Sequence, residues 1–231
     1  MFCFRLLEAG ARVCISDIKQ EVGDKALAEL RDRFGPDNVC FVACDVCQEE
    51  QFTALFERAE EFFKVSCVDI LANNAGVNTN YGWRKCMEVN IISVMLGTEL
   101  AMQRMRKAGK SGQIINTASM AGVAPGLNEE MTPYTVSKHG VVALTRTLAK
   151  VSSGISHKCL CPAWTDTNMV SSAVEVDVRN ELGENIKSRG GLMTPEHVAE
   201  GFFRLLTQCD SGAAMAVNKV LRSDHRELVK S

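Results

Sequence analysis

Short apolar segments rich in β-branched residues alternate with longer helical patterns along most of this chain. The predicted strands are residues 11–16, 39–43, 68–72, 113–117, 155–161 and 212–220. Amphipathic or apolar helical segments lie between them, at residues 20–34, 49–63, 83–107, 134–151 and 195–208. Strands joined by helix-length connections pair in parallel, and their helices cover both faces of the sheet. The alternation predicts an α/β fold with a doubly wound parallel sheet in three layers, as one domain over residues 1–231.

Composition excludes several classes of protein. The chain has 231 residues, a net charge of −2 and a pI near 6.1, so no basic surface for nucleic acid is expected. No run of apolar residues is long enough for a membrane span, and the first residues do not resemble a signal peptide. The ten cysteines lie mostly inside apolar patterns, and Cys44 and Cys47 have no second ligand pair. Reduced thiols, a cytoplasmic location and no metal site are therefore expected.

A serine after one predicted strand and a Tyr-x-x-x-Lys pair on the next helix form the strongest chemical pattern. Ser119 follows the strand, whereas Tyr134 and Lys138 share a helix face because they lie four residues apart. A nearby cation favours ionised tyrosine, so Lys138 is expected to lower the pKa of Tyr134. Such a tyrosine exchanges a proton with an oxygen that the serine orients. The pattern predicts alcohol oxidation or carbonyl reduction with a nicotinamide cofactor.

The second tyrosine of the chain offers an alternative, because Tyr81 is also followed by a lysine four residues later, Lys85. Tyr81 follows a turn at residues 73–76, has Gly82 beside it, and lacks a serine delivered by a preceding strand. A Tyr-x-x-x-Lys pair by itself is common surface chemistry. The presence of Ser119 after the preceding strand favours Tyr134 as the reactive tyrosine.

Acidic residues end two of the early strands, at Asp17 and Asp45. Ligands of open parallel sheets bind beyond the carboxyl ends of the strands. A carboxylate at Asp17 would hold the two ribose hydroxyls of NAD and repel the 2′-phosphate of NADP. Asp is also a common N-cap residue, so Asp17 could instead cap the following helix. The sequence leaves both interpretations open.

The motifs together resemble those of the short-chain dehydrogenase/reductase family. The matching residues are Asp45-Val46, Asn73-Asn74-Ala75-Gly76, Asn90, Ser119, Tyr134, Lys138, and Pro162 with Thr167. The resemblance implies a Rossmann-like fold and an NAD-dependent enzyme that oxidises a secondary alcohol or reduces the ketone. Residues 74–78, 119–122 and 137–140 are most similar to a branch of the family that acts on hydroxylated, lipid-like substrates.

The resemblance also implies a role for each site residue. Tyr134 would be the acid/base, Ser119 would orient the substrate oxygen, and Lys138 would bind the ribose. Asn90 would hold a water molecule in a proton relay. The cofactor-binding residues would be Asp17, Ile18, Cys44, Asp45, Val46, Asn74, Ala75, Gly76, Tyr134, Lys138, Thr165, Asp166 and Thr167. A homodimer through the helices at residues 83–107 and 134–151 is also implied.

Two departures from the family pattern lead to further expectations. None of the 17 glycines forms the Gly-x-x-x-Gly-x-Gly turn that contacts the pyrophosphate, and residues 2–8 look like the end of the first helix. We therefore expect a sheet that lacks the family's first strand, in an N-terminally incomplete domain. The alternative function is a catalytically impaired isoform that binds full-length subunits through its dimer helices. Glu129 and Glu130 lie near the expected substrate pocket, which does not favour a fatty carboxylate.

Overall fold

The computed structural model describes residues 1–126, 128–170, 186 and 191–218. Its helices are α1 (Phe2–Glu8), α2 (Gln20–Phe34), α3 (Glu49–Phe63), α4 (Trp83–Met87), α5 (Ser93–Lys107), α6 (Thr132–Val151) and α7 (Pro195–Gln208). Its strands are β1 (Val13–Asp17), β2 (Val39–Ala43), β3 (Ile70–Asn73), β4 (Gly112–Thr117), β5 (Ile155–Pro162) and β6 (Ala214–Val217). The predicted alternation of strands and helices is confirmed, with shifts of a few residues at several boundaries.

All strand pairs are parallel, as the helix-length connections require. Strand β1 pairs with β2 from Val13↔Val39 to Asp17↔Ala43. A second group has the order β3-β4-β5-β6, with Asn73 opposite Asn116. The carboxyl ends of these strands therefore lie along one edge of the structure.

Apolar clusters cover both faces of the sheet. Ile114 and Ile115 are adjacent in β4 and fully buried, yet they belong to different clusters because successive strand residues face opposite ways. Ile115 packs with residues of α7 such as Phe202, against which Phe2 of α1 stacks at 4.3 Å. Ile114 packs with Phe56 of α3 and with residues of α5. The three-layer α/β/α fold is confirmed.

The sheet is interrupted between β1 and β3. These two strands belong to separate groups, and among the described residues no strand lies between them. Every residue of β1 and of β3 lines a single large cleft. The interruption agrees with the expectation of a sheet that lacks one strand.

The long helix predicted over residues 83–107 is continuous, but its middle is π-helical. Helix α4 ends at Met87, a π-helical segment covers Glu88–Ile92, and α5 begins at Ser93. A π turn inserts one extra residue per turn and rotates the side chains that follow it, and such turns are frequent at functional sites. Asn90 lies in this segment.

Candidate active site

The carboxyl ends of the strands open into a cleft of about 1460 Å³. Its walls include Asp17 from β1, Asn73 from β3, Thr117 from β4 and Pro162 from β5. Ser119, Tyr134 and Lys138 line the same cleft. The structure therefore brings the serine, tyrosine and lysine of the sequence pattern together at the edge where an open parallel sheet binds its ligands.

Ser119 and Tyr134 both line this cleft, and the Ser119 hydroxyl is among the groups that influence the pKa of Tyr134. The Ser119 side chain is fixed by the backbone N–H of Ala121 at 3.2 Å, and its own hydroxyl approaches the Pro162 carbonyl at 3.5 Å. Tyr134 stands near the start of α6, after Pro133 in the first turn. A substrate oxygen placed against this pair meets two hydroxyl groups at once.

Lys138 lies one helical turn after Tyr134 and is almost completely buried, with 4% of its surface exposed. Its ammonium group donates a hydrogen bond to the Thr117 carbonyl at 2.9 Å and lies 5.7 Å from the centre of the Tyr134 ring. Burial lowers the pKa of Lys138 to about 8, against the smaller raising effect of neighbouring thiols, first that of Cys159. The cation is therefore held at a considerable desolvation cost.

The expected lowering of the Tyr134 pKa is not found in this structure. Burial raises the pKa of the phenol and outweighs the hydrogen bond from Ser119, which lowers it. Cys86 is a further neighbour that raises the pKa. The physical reason is that loss of solvent disfavours the phenolate, while the nearby ammonium directs a hydrogen bond to Thr117 instead.

Asn90 is completely buried and does not line the cleft. Its side chain closes a double hydrogen bond with the backbone of Val77, accepting from the N–H at 2.8 Å and donating to the carbonyl at 2.9 Å. The same amide lies 3.3 Å from the Cys86 sulfur and 3.4 Å from the Ser137 hydroxyl. Asn90 thus joins the loop after β3 to α4 and α6. A water molecule in a relay there stays a prediction.

Gly76 keeps a small space open beside these groups. A Cβ atom at this position would lie 3.4 Å from Oδ1 of Asn90 and 3.7 Å from Nζ of Lys138. These are ordinary contact distances, so a methyl group would fill the space without a clash. Gly76 therefore lies within packing distance of both Asn90 and Lys138.

Sequence reasoning missed a buried network of polar side chains behind the site. Asn73 donates to the Asn116 side-chain carbonyl at 2.9 Å, and Asn116 donates to the Thr145 hydroxyl at 3.0 Å. Asn73 also reaches the Thr98 hydroxyl of α5 at 3.2 Å. A Cβ atom on Gly97 would lie only 2.6 Å from the Asn73 side chain, so the glycine permits this approach. The network links β3 and β4 to α5 and α6. The paired Asn residues could have been noticed in sequence as polar residues inside apolar strands.

The predicted cofactor residues mostly lie along the cleft. The described lining includes Asp17, Ile18, Cys44, Asp45, Val46, Asn74, Ala75, Gly76, Tyr134, Lys138, Thr165 and Thr167. Asp166 does not line the cleft, because its backbone N–H bonds to the Met193 carbonyl in a short extended segment and its side chain is exposed to solvent. Its assignment as a cofactor-binding residue is therefore not supported.

The sequence left open whether Asp17 binds the ribose or caps the following helix, and the structure shows features of both. Its side chain accepts a hydrogen bond from the Lys19 N–H at 2.8 Å, just before α2. Lys19 rather than Asp17 is the N-cap residue of that helix. The exposed Asp17 carboxylate also lines the cleft, so it remains available to a ligand.

The alternative pair of Tyr81 and Lys85 is not on one helix. Tyr81 ends a short 3₁₀ turn, and Gly82, with a φ of 80°, separates it from α4. Tyr81 lines the cleft but is 69% exposed. Lys85 lies near the carboxylates of Asp45 and Glu88, at 3.9 and 3.8 Å. The geometry agrees with Tyr134 as the better candidate.

Comparison with known proteins defines the family. Residues 1–177 match the family model of the short chain dehydrogenases. The chain belongs to the short-chain dehydrogenase family. It is 32% identical over 237 aligned positions to 15-hydroxyprostaglandin dehydrogenase (NAD(+)) of Bos taurus, with 96% of this chain and 86% of that protein covered. It is also 35% identical to 3beta-hydroxysteroid dehydrogenase 2 of Eggerthella lenta, with 71% of this chain and 65% of that protein covered.

Solved structures agree with this membership in the short-chain dehydrogenase family. A variant of actinorhodin polyketide ketoreductase, crystallised with NADPH, superimposes with a TM-score of 0.83 at 28% identity, covering 96% of this chain and 92% of that chain. Levodione reductase superimposes with a TM-score of 0.82 at 26% identity, covering 94% of this chain and 90% of that chain. The chain is therefore an oxidoreductase by family.

Two further findings concern other kinds of site. Within the described part of the chain, no helix combines the length and the apolar character that crossing a membrane requires. The same residues contain no cluster of three or more potential metal-binding side chains, and the ten cysteines are free thiols.

Proposed function

We propose that this protein oxidises a secondary alcohol to a ketone with NAD, and carries out the reverse reduction, on a lipid-like substrate. The observation that supports the proposal most is the joint placement of Ser119, Tyr134 and Lys138 on one cleft at the carboxyl edge of the sheet. The relatives described above support NAD as the cofactor, since the 15-hydroxyprostaglandin dehydrogenases carry it in their name.

Proton transfer falls to Tyr134 in this proposal. Tyr134 lines the same cleft as Ser119, so a substrate hydroxyl that enters there meets one group that orients it and one that exchanges a proton. Lys138 lies beneath the ring and stabilises a developing phenolate electrostatically. Because burial raises the pKa of Tyr134, this cation has a larger barrier to offset than in a solvated site.

The residues present fit NAD at both of its nucleoside ends. Asp17 would hold the adenosine ribose, Asp45 and Val46 would flank the adenine, and Thr165 and Thr167 would meet the nicotinamide end. The bound cofactor supplies the hydride acceptor. The second ribose would lie beside the Lys138 ammonium group, which lines the same cleft. The sequence holds no glycine-rich turn for the pyrophosphate.

A homodimer through the helices around the site forms part of the proposal. Three large apolar side chains of the helical stretch at residues 83–107 are more than half exposed, those of Trp83, Ile92 and Met95. Val136 on the adjacent α6 is also 52% exposed. Exposed apolar residues grouped on neighbouring helices favour a protein interface. A cytoplasmic location is also part of the proposal, since the free thiols suit a reducing compartment.

The central test replaces Tyr134 by phenylalanine, which removes one hydroxyl group and preserves the ring. We expect kcat for NAD-dependent oxidation of a hydroxylated lipid to fall by at least about 10²-fold, while NAD binding measured by calorimetry changes little. Tyr81→Phe is the matched control, since it removes the other tyrosine hydroxyl of the same cleft. Loss of activity in the control rather than in Tyr134→Phe would show that the wrong tyrosine was chosen.

A further inference from the structure

The substrate end of the cleft has apolar walls. Beside Ser119 and Tyr134 the lining residues include Met120, Ala124, Pro125, Met131, Trp164 and Met169. Aliphatic, thioether and indole groups such as these bind hydrocarbon surface and provide little for a charged group. This part of the cleft therefore suits an apolar molecule.

One charged side chain among the described residues of that end is Glu130. It lies on a 3₁₀ turn, Glu129–Met131, that runs directly into α6 four residues before Tyr134. The Asn128 side chain caps this turn by accepting from the Met131 N–H at 3.1 Å. The carboxylate is thus carried by a capped turn at the same wall as Tyr134. Its neighbour Glu129 does not line the cleft.

Three of the four basic side chains among the described cleft residues already have partners. Arg12 donates to the Phe63 carbonyl at 2.8 Å, before β1 begins. Lys85 approaches Asp45 and Glu88, and Lys138 donates to the Thr117 carbonyl. Lys19 lies just after β1, beside Asp17. Over residues 1–126 and 128–170, no cation stands next to Glu130 at the substrate end to pair with a substrate carboxylate.

We propose that the substrate is an uncharged apolar secondary alcohol, and that Glu130 discriminates against carboxylates close to the reacting carbon. The inference rests on the proposed function and narrows its substrate class. A carboxylate bound there meets a like charge, and among the described residues it exchanges water for an apolar wall without a partner cation. A molecule of the same shape without the charge avoids both costs.

The experiment uses hydroxylated fatty acids in which the number of carbons between the hydroxyl and carboxyl groups varies, each with its methyl ester. For the shortest spacing we expect kcat/KM to favour the ester by about fivefold or more, the effect of one like charge about 4 Å away in water. The preference should decline as the spacing grows, since Coulomb repulsion falls with distance. Equal or better use of the acids at every spacing would overturn the inference.

Two variants isolate the charge. Glu130→Gln removes it with little change in shape, so the ratio of ester to acid should move toward one. Glu129→Gln removes an equal charge from an exposed residue that does not line the cleft, so the ratio should stay near the wild-type value. An unchanged ratio in Glu130→Gln, or equal changes in both variants, would contradict a specific role for Glu130.

A binding measurement separates this inference from the proposed reaction. Both compound series are titrated against the protein while the fluorescence of Trp164, which lines the cleft, is followed, with Trp83→Phe removing the other indole. Tighter binding of esters without turnover by NAD would support the inference and refute the proposed function. Failure of the esters to bind more tightly than the acids would overturn the inference even if oxidation occurs.

Discussion

Replacement of Lys138 by methionine should show how much the buried lysine lowers the free energy of unfolding. The lysine is 4% exposed, and burial lowers its pKa from 10.5 to about 8. Methionine has a similar length and no charge, so it occupies the same space without the desolvation penalty. The variant should lose NAD-dependent activity, because the stabilising cation beneath Tyr134 is gone.

The sign of the pH dependence follows from the direction of the shift. Between pH 8 and 10.5 the unfolded lysine stays protonated while the folded one releases its proton, so the unfolded state binds more protons. The unfolding free energy of the wild type therefore rises with pH in this window, and this contribution is lost as the pH falls through 8. At about 1.36 kcal/mol per pKa unit, the wild type should gain about 2–3 kcal/mol relative to Lys138→Met between about pH 7 and pH 10.

Urea unfolding followed by circular dichroism at several pH values measures this difference. Other titrating groups are shared by both proteins and cancel in the comparison. The control is Lys150→Met, which removes an exposed lysine from the end of the same helix and should give a flat difference curve. A flat curve for Lys138→Met as well would refute the argument that the ammonium group is strongly desolvated.

Three further changes test other parts of the structure. Asp17→Asn should reduce the preference for NAD over NADP by about tenfold, because it removes the charge that would repel the 2′-phosphate. The ratio of kcat/KM with NAD to kcat/KM with NADP measures this preference, and an unchanged ratio would argue against Asp17 as the ribose ligand. His157 is fully buried in β5, neither ring nitrogen has a hydrogen-bond partner among the described residues, and burial lowers its pKa. Since the unfolded histidine gains a proton first, stability should fall as the pH drops below about 6.5, and His157→Leu should flatten that fall in thermal melts; equal acid sensitivity of both proteins would contradict this. Asn116→Leu should cost about 2 kcal/mol, because it removes one hydrogen bond from Asn73 and one from Thr145 in a buried network. A smaller loss in urea unfolding would mean that the network is not fully formed.

The sequence by itself determined the class of fold. A parallel sheet covered on both faces produces a periodic pattern of apolar residues in the sequence. Its buried strands need short apolar runs, and its amphipathic helices need an apolar repeat near 3.6 residues. The adjacent residues Ile114 and Ile115 illustrate it, since each is buried against a different layer. The sequence also predicted the group of Ser119, Tyr134 and Lys138, because helical spacing and the end of a strand are local properties.

The tertiary structure decided features that depend on residues distant in sequence. The π-helical turn around Asn90 lies where the helix bonds to the loop at Val77 and approaches Ser137. No local sequence pattern predicts this turn. The polar network of Asn73 and Asn116 depends on the register of two strands. The direction of the Tyr134 pKa shift was misjudged, because helical spacing places the lysine nearby but does not report how much solvent is removed. Desolvation is a property of all surrounding atoms together, so only the packed molecule defines it.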